Sequence, residues 1–190
     1  MMRRHFVLLL CVVALLGTSC RQQGKGTAAT EKSQELSDMM QAYRHADSLY
    51  HVGRIDTAAF ERFIRSAVSL AETDPQMNSV PEMFYKAGIG SMILAKAAVT
   101  REETAKYAKQ ALQIFYDFQE KYPEHENAKY CYYQRGIIYD DILGDYTSAQ
   151  DQYRDFINRY PDDSLAVQLK DYLKLLGKSE SQLEEMLDLK

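Results

Sequence analysis

Two short stretches decide how this chain folds: Phe115-Tyr116-Asp117-Phe118-Gln119-Glu120-Lys121-Tyr122-Pro123 and Tyr153-Arg154-Asp155-Phe156-Ile157-Asn158-Arg159-Tyr160-Pro161. They share aromatic residues at their first and fourth positions, an Asp at the third and a closing Tyr-Pro, and they lie 38 residues apart, from position 115 to position 153. Ala128 and Ala166 continue the register. A repeat of this length is one supersecondary unit that cannot bury its apolar face alone, so neighbouring units must stack. The proline ends one unit and lets the next begin at a fixed angle.

Outward from the repeat, apolar residues recur at helical spacing and no segment alternates as a strand does. Leu36, Met39, Met40, Tyr43, Ala46 and Tyr50 form the face of a first helix that Gly53 ends. Asp56 caps a second, with Phe60, Phe63, Ile64, Ala67 and Leu70 inside and Asp74-Pro75 as its stop. Pro81 fits the first turn of a third, which carries Gly88 and Gly90; interior glycines cost a helix stability, so a neighbouring helix packed close is expected there. Thr100 caps a fourth helix to about Lys121, with Ala105, Ala108, Leu112, Phe115 and Phe118 inside. A fifth covers about 126–143, a sixth about 147–159, and a seventh is capped by Asp163 or Ser164 and ends at Gly177. Ser179 and Gln182 form a capping box for a short last helix.

Within the best unit Tyr132, Gly136 and Tyr139 fall at the aromatic, glycine and tyrosine positions of the first helix. Ala149, Tyr153 and Pro161 fall at the alanine, aromatic and proline positions of the second. This pattern resembles the tetratricopeptide repeat, with one extra residue in the turn near 144–147. The resemblance implies an all-α architecture over 33–190, an α-α superhelix whose concave face, lined by the first helix of each pair, binds other proteins. Tyr133, Gln134 and Arg135 are then the candidates for a partner-binding groove, since aromatic and arginine side chains make good anchors.

The N-terminus adds an address. Arg3 and Arg4 precede an unbroken apolar run, Phe6 to Leu16, of the length of an export signal and too short to span a bilayer. Gly17, Thr18 and Ser19 then lead to Cys20. The order resembles a bacterial lipoprotein signal. It implies a signal peptide at 1–19, acylation of Cys20, and a polar tether over 20–32 between the lipid and the folded domain. Together the two resemblances point to the tetratricopeptide-repeat lipoproteins of Bacteroidota-type bacteria, similar in pattern to the helical lipoprotein component of the outer-membrane β-barrel assembly machine. The expected location is the outer membrane, lipid-anchored and facing the periplasm. Other envelope proteins are the expected partners, and the membrane is reached through the anchor.

Charge and chemistry exclude other classes. The formal charge is −4, and loss of Arg3 and Arg4 with the signal takes it to −6, with no basic stripe for nucleic acid. With Cys11 removed and Cys20 acylated, Cys131 is left as a single thiol, read as buried and inert. His45 and His51 share no helical face, His125 reads as solvated, and Asp140, Asp141 and Asp145 lack the loop spacing of a calcium site. No cofactor, metal or catalytic group is therefore expected. The reading is a binding scaffold, against a self-associating envelope module and, more remotely, a small hydrolase.

Overall fold

The computed structural model describes residues 20–188, with side chains from 30 to 186. The expected export signal at 1–19 and the acylated side chain of Cys20 lie outside these residues. The described chain is all-helical. In order it runs α1 (Cys20–Tyr50), α2 (Thr57–Thr73), α3 (Val80–Ala97), α4 (Arg101–Lys121) and α5 (Tyr130–Ile137). A π turn (Ile138–Ile142) continues α5, followed by α6 (Tyr146–Arg159), α7 (Ser164–Tyr172) and α8 (Glu180–Asp188).

Among the described residues, 20–41, the N-terminal part of α1, belong to a unit of their own. Here the structure departs from the sequence reading: the stretch 20–32, expected as an irregular tether, has helical backbone. The side chains of Thr30, Glu31, Lys32, Ser33 and Gln34 are exposed, and Gln34 Nε2 donates to Asp38 Oδ1 one turn on at 2.8 Å. Composition, which showed a polar stretch without apolar periodicity, did not reveal that backbone state.

From Ala42 onward the helices form the second unit. Contact runs between successive elements: α2 with α3, α3 with α4, α4 with α5, α5 with α6 and α6 with α7. That nearest-neighbour order is the stacking of helix pairs that a repeat requires. The core is aromatic and alanine-rich. Phe63, Phe84, Phe115, Phe118 and Phe156 are wholly enclosed, with Ala67, Ala87, Ala108, Ala111 and Ala149 between them. In α4 the buried set is Tyr107, Ala108, Ala111, Ile114, Phe115 and Phe118, whereas Ala105, expected inside, is exposed.

The repeated object is the exit from each second helix. Asp74 (φ −138°, ψ 56°), Tyr122 (−132°, 54°) and Tyr160 (−131°, 56°) leave α2, α4 and α6 with the same backbone. Each precedes a proline, which disfavours the helical conformation. Each donates its N–H back to the fourth residue before it, Leu70, Phe118 or Phe156. The N–H groups of Met77, His125 and Asp163 then bond to the carbonyls of Asp74, Tyr122 and Tyr160 at 3.1 Å in every case. The sequence displays two copies of this unit; the backbone has three.

Glycine sets how closely paired helices approach. Gly88 and Gly136 stand at the same interval after Pro75 and Pro123. A Cβ on Gly88 would lie 2.7 Å from the ring of Phe115 in α4; on Gly136 it would lie 2.1 Å from the ring of Tyr153 in α6. Gly90, on the other side of α3, faces Phe60 of α2 at 3.2 Å. α3 is thus pressed between α2 and α4 through one glycine toward each, as the sequence led us to expect. Gly53 (φ 74°) and Gly177 (φ 72°) end their segments in the left-handed conformation that glycine adopts freely.

The caps follow the sequence. Asp56 accepts from the N–H of Ala59 at 2.9 Å, and Asp163 from that of Leu165 at 2.9 Å. Thr100 and Glu103 form a reciprocal capping box. Such caps contribute about 1 kcal/mol each. The extra residue expected in the turn near 144–147 sits elsewhere. It is absorbed in the π turn, where the N–H of Leu143 reaches back five residues to Ile138 O at 3.0 Å. A π turn admits one more residue without breaking the helix, so the insertion rotates the end of α5 and leaves the turn short.

Candidate partner-binding face

The first helix of each pair contributes to one face, and three cavities follow one another along it. One, about 350 Å³, is lined by Tyr43 and Asp47 of α1, Tyr85, Lys86 and Ile89 of α3, and Asn127. The next, about 440 Å³, is lined by Tyr50, Ile89, Met92, Lys96 and Gln134, and shares Ile89 and Ile93 with the first. The third, about 400 Å³, lies between α5 and α7 and is lined by Tyr133, Ile137, Asp140, Asp141 and Tyr172, with Tyr153 of α6 at its wall.

The three groove candidates separate. Tyr133 lines the third cavity, its ring 6.3 Å from that of Tyr153. Gln134 lines the second and donates through Nε2 to the hydroxyl of Tyr85 at 3.2 Å. Arg135 does neither. It is 2% exposed and turned into the stack, which corrects its assignment to the groove. On a helix, neighbouring residues point about 100° apart, so three in a row cannot share one face.

Arg135 packs between the rings of Tyr116 and Tyr132, at 4.1 and 4.8 Å from their centroids. Its Nε donates to Gln152 Oε1 at 2.7 Å, and Nη1 donates to Gln119 Oε1 at 2.5 Å and to Phe115 O at 3.4 Å. Gln119 in turn donates to Ala128 O at 2.8 Å. Among the described residues no carboxylate pairs with this guanidinium; amide oxygens and ring faces hold it, and burial lowers its pKa. It joins α4, α5 and α6.

The repeat-signature residues divide in the same way. Gly136, Ala149 and Tyr153 are buried between α5 and α6. Tyr132 is half-buried and carries two guanidinium groups, with Arg159 at 5.3 Å. Tyr139 is half-buried, and burial raises its pKa. Pro161 is exposed in the loop between α6 and α7.

This arrangement of aromatic, glycine, alanine and proline positions is one shared with a known family. Residues 130–163 match the family model of the tetratricopeptide repeat. The tetratricopeptide match covers α5, the π turn, α6 and the loop to Asp163. The α3–α4 pair before it has the same glycine-to-aromatic contact and the same exit turn. No curated protein matches the chain.

Other groups singled out in the sequence have structural duties. Cys131 is buried, its Sγ 3.6 Å from Asn127 O, and burial pushes the thiol up to about 12. His45 meets Asp56 at 3.3 Å, and His51 meets Asp47 at 3.5 Å. His125, expected in solvent, is half-buried: it accepts from the N–H of Asn127 at 3.2 Å and lies edge-on to Phe118. Asp145 caps α6 through Ser148, and Asp141 pairs with Lys96 at 3.1 Å. Among the described residues no three His, Cys, Asp or Glu side chains are grouped to hold a metal ion. None of their helices is long and apolar enough to cross a membrane.

Proposed function

We propose that this chain is a lipid-anchored protein-binding scaffold of a bacterial cell envelope. In this reading Cys20 carries the acyl chains, the polar stretch 20–32 spaces the domain from the bilayer, and the face lined by α1, α3, α5 and α7 receives a segment of an envelope protein. The outer membrane, on its periplasmic side, is the proposed location, and assistance in assembling envelope proteins the proposed role. One observation carries the reading: three cavities run in sequence along the helix face that a tetratricopeptide-like stack presents to its ligands. The ordered Arg3-Arg4, Phe6–Leu16, Cys20 pattern supports the anchor.

The test is affinity capture of the intact protein from membranes after crosslinking in cells, alongside a variant carrying Tyr133→Ala and Met92→Ala. The scaffold reading expects envelope proteins with the parent chain and their loss with the variant, while circular dichroism shows both folded. Equal recovery from both would remove the face from the proposal. Cys20→Ser should release the protein from the membrane fraction; unchanged sedimentation with membranes would remove the anchor.

A further inference from the structure

The third cavity differs in chemistry from the two beside it. Tyr133, Tyr153 and Tyr172 give it three aromatic walls, and among the described residues Asp140 and Asp141 are the only charged ones that line it, with no lysine, arginine or histidine. Asp141 is already matched by Lys96. Among the described residues Asp140 has no such partner: its Oδ2 accepts from the hydroxyls of Tyr153, at 3.5 Å, and of Tyr172. Two neutral donors fix one oxygen of that carboxylate and leave its charge uncancelled and the lone pairs of Oδ1 for another donor. The tyrosines come from α5, α6 and α7, so the arrangement exists only where the three helices meet. Asp140 stands within the π turn, a distortion that recurs at functional sites because it re-aims the residues it contains.

Aromatic faces and a carboxylate around one cavity are complementary to a cation. Ring faces attract it through their quadrupole, and the carboxylate supplies directed acceptors. A guanidinium satisfies both, being planar for stacking and forked for the carboxylate. We propose that the cavity between α5 and α7 is a subsite for an arginine side chain of the bound polypeptide, with Asp140 as its counter-ion and Tyr133 and Tyr172 as its walls. The proposal rests on the scaffold reading for its polypeptide, and it narrows the partner to one presenting a basic residue to this end of the face. The second cavity, lined by Ile89, Met92 and Ile93, suits an apolar residue of the same segment.

The probe is N-acetyl-arginine amide, titrated into the 15N-labelled full chain in detergent and followed by amide chemical shifts; N-acetyl-citrulline amide, neutral and of the same shape, is the control. Arginine amide should shift Tyr133, Ile137, Gln168 and Tyr172 in a saturable way that weakens with added salt, and citrulline amide should bind at least tenfold more weakly. Asp140→Asn, which still accepts from both tyrosines, should lose the preference for arginine; Tyr133→Leu, which leaves the carboxylate in place, should weaken binding severalfold. Equal shifts with both amides, or shifts spread over acidic surface such as Asp155 and Asp162, would overturn the subsite. Membrane capture separates the two readings. Envelope proteins recovered equally by the parent and Asp140→Asn would refute the subsite alone. Recovery of none by the parent would refute the scaffold, while the amide titration still decides whether the cavity takes a guanidinium.

Discussion

Gly136→Ala puts the proposed helix packing under the most direct strain. The added Cβ would stand 2.1 Å from Cε1 of Tyr153, 2.5 Å from Cδ1 and 2.7 Å from Cζ. Carbon atoms in contact prefer roughly 3.5–4.0 Å, so the overlap is about 1.5 Å. The ring has little room to withdraw. Tyr153 is 2% exposed, edge-on to Tyr172 at 5.7 Å, and tied to Asp140 through its hydroxyl. In an isolated helix the same change would stabilise by about 1 kcal/mol. Overpacking costs about 1–3 kcal/mol, and an overlap this deep belongs at the upper end. The net expectation is a loss of about 2 kcal/mol.

Urea unfolding followed by far-ultraviolet circular dichroism measures this, provided the slope with urea stays that of the parent. Three glycines form a graded series. Gly88→Ala, with 2.7 Å to Phe115, should cost less than Gly136→Ala, and Gly90→Ala, with 3.2 Å to Phe60, should fall near zero as helix gain and crowding offset. Tyr153→Leu added to Gly136→Ala should leave a double variant more stable than the sum of the two losses, because the leucine removes the ring that collides. A Gly136→Ala protein as stable as its parent, or strict additivity with Tyr153→Leu, would refute the close approach of α5 and α6.

Other residues give independent checks. Arg135→Lys should destabilise by about 2–3 kcal/mol, and by more than Arg135→Met, because a buried ammonium keeps the charge while losing the fork and the ring sandwich; a lysine variant as stable as the parent in urea would contradict that account. Tyr122→Phe should be neutral or stabilising by about 0.5–1 kcal/mol, since its hydroxyl is buried with no hydrogen-bond partner among the described residues; a thermal midpoint several degrees lower would reveal a partner. Cys131, with its thiol pushed up to about 12, should resist alkylation at pH 8 until the chain unfolds, and rapid labelling of the native protein would show an open site. Asp56, Asp145 and Asp163 are held below the usual carboxylate pKa, chiefly by the Ala59 N–H, by Ser148 and by Lys129 respectively. Their contribution is complete above a pKa of about 4 and is lost as pH falls through their depressed values, so the thermal midpoint should decline on acidification. Replacing all three with asparagine should flatten that decline; an unchanged slope would assign it to other groups.

The helices and caps were legible because each carries a local signal: Asp56, Thr100 and Asp163 at starts, Gly53 and the X-Pro pairs at ends. The third copy of the exit turn was not, and the reason is chemical. Where α4 and α6 have Phe115 and Tyr153, α2 has Ala67, and Asp74 replaces the tyrosine before the proline. The backbone conformation survives that exchange because proline and the returning N–H bonds set it, not the aromatic ring. The π turn had no signature beyond one surplus residue, which could be counted but not placed. Arg135 misled for a general reason: an arginine next to aromatics suggests an exposed anchor, since arginine is seldom fully buried. The signal that could have corrected it lay in register. Arg135 stands as far from Pro123 as Ala87 stands from Pro75, and Ala87 is an interior position.

That register also explains how one turn of α5 can serve two purposes. Tyr133 and Gln134 open onto cavities while Arg135 and Gly136 turn inward, the first gripping α4 and α6 through Gln119, Gln152 and the Phe115 carbonyl, the second admitting Tyr153. A carboxylate in place of those amides would pair strongly with the guanidinium but would also bring a second charge to desolvate. Amide oxygens and ring faces hold the cation without that cost, and they hold it only when the three helices are in register. If Arg135 sets the register, its replacement by methionine should leave the helices formed but alter the cavity built from α5, α6 and α7. Arginine-amide shifts at Tyr133 and Tyr172 would then weaken while helical content stayed constant. Unchanged binding in that variant would mean that the glycine and aromatic contacts alone place the face, and that the buried cation contributes stability without geometry.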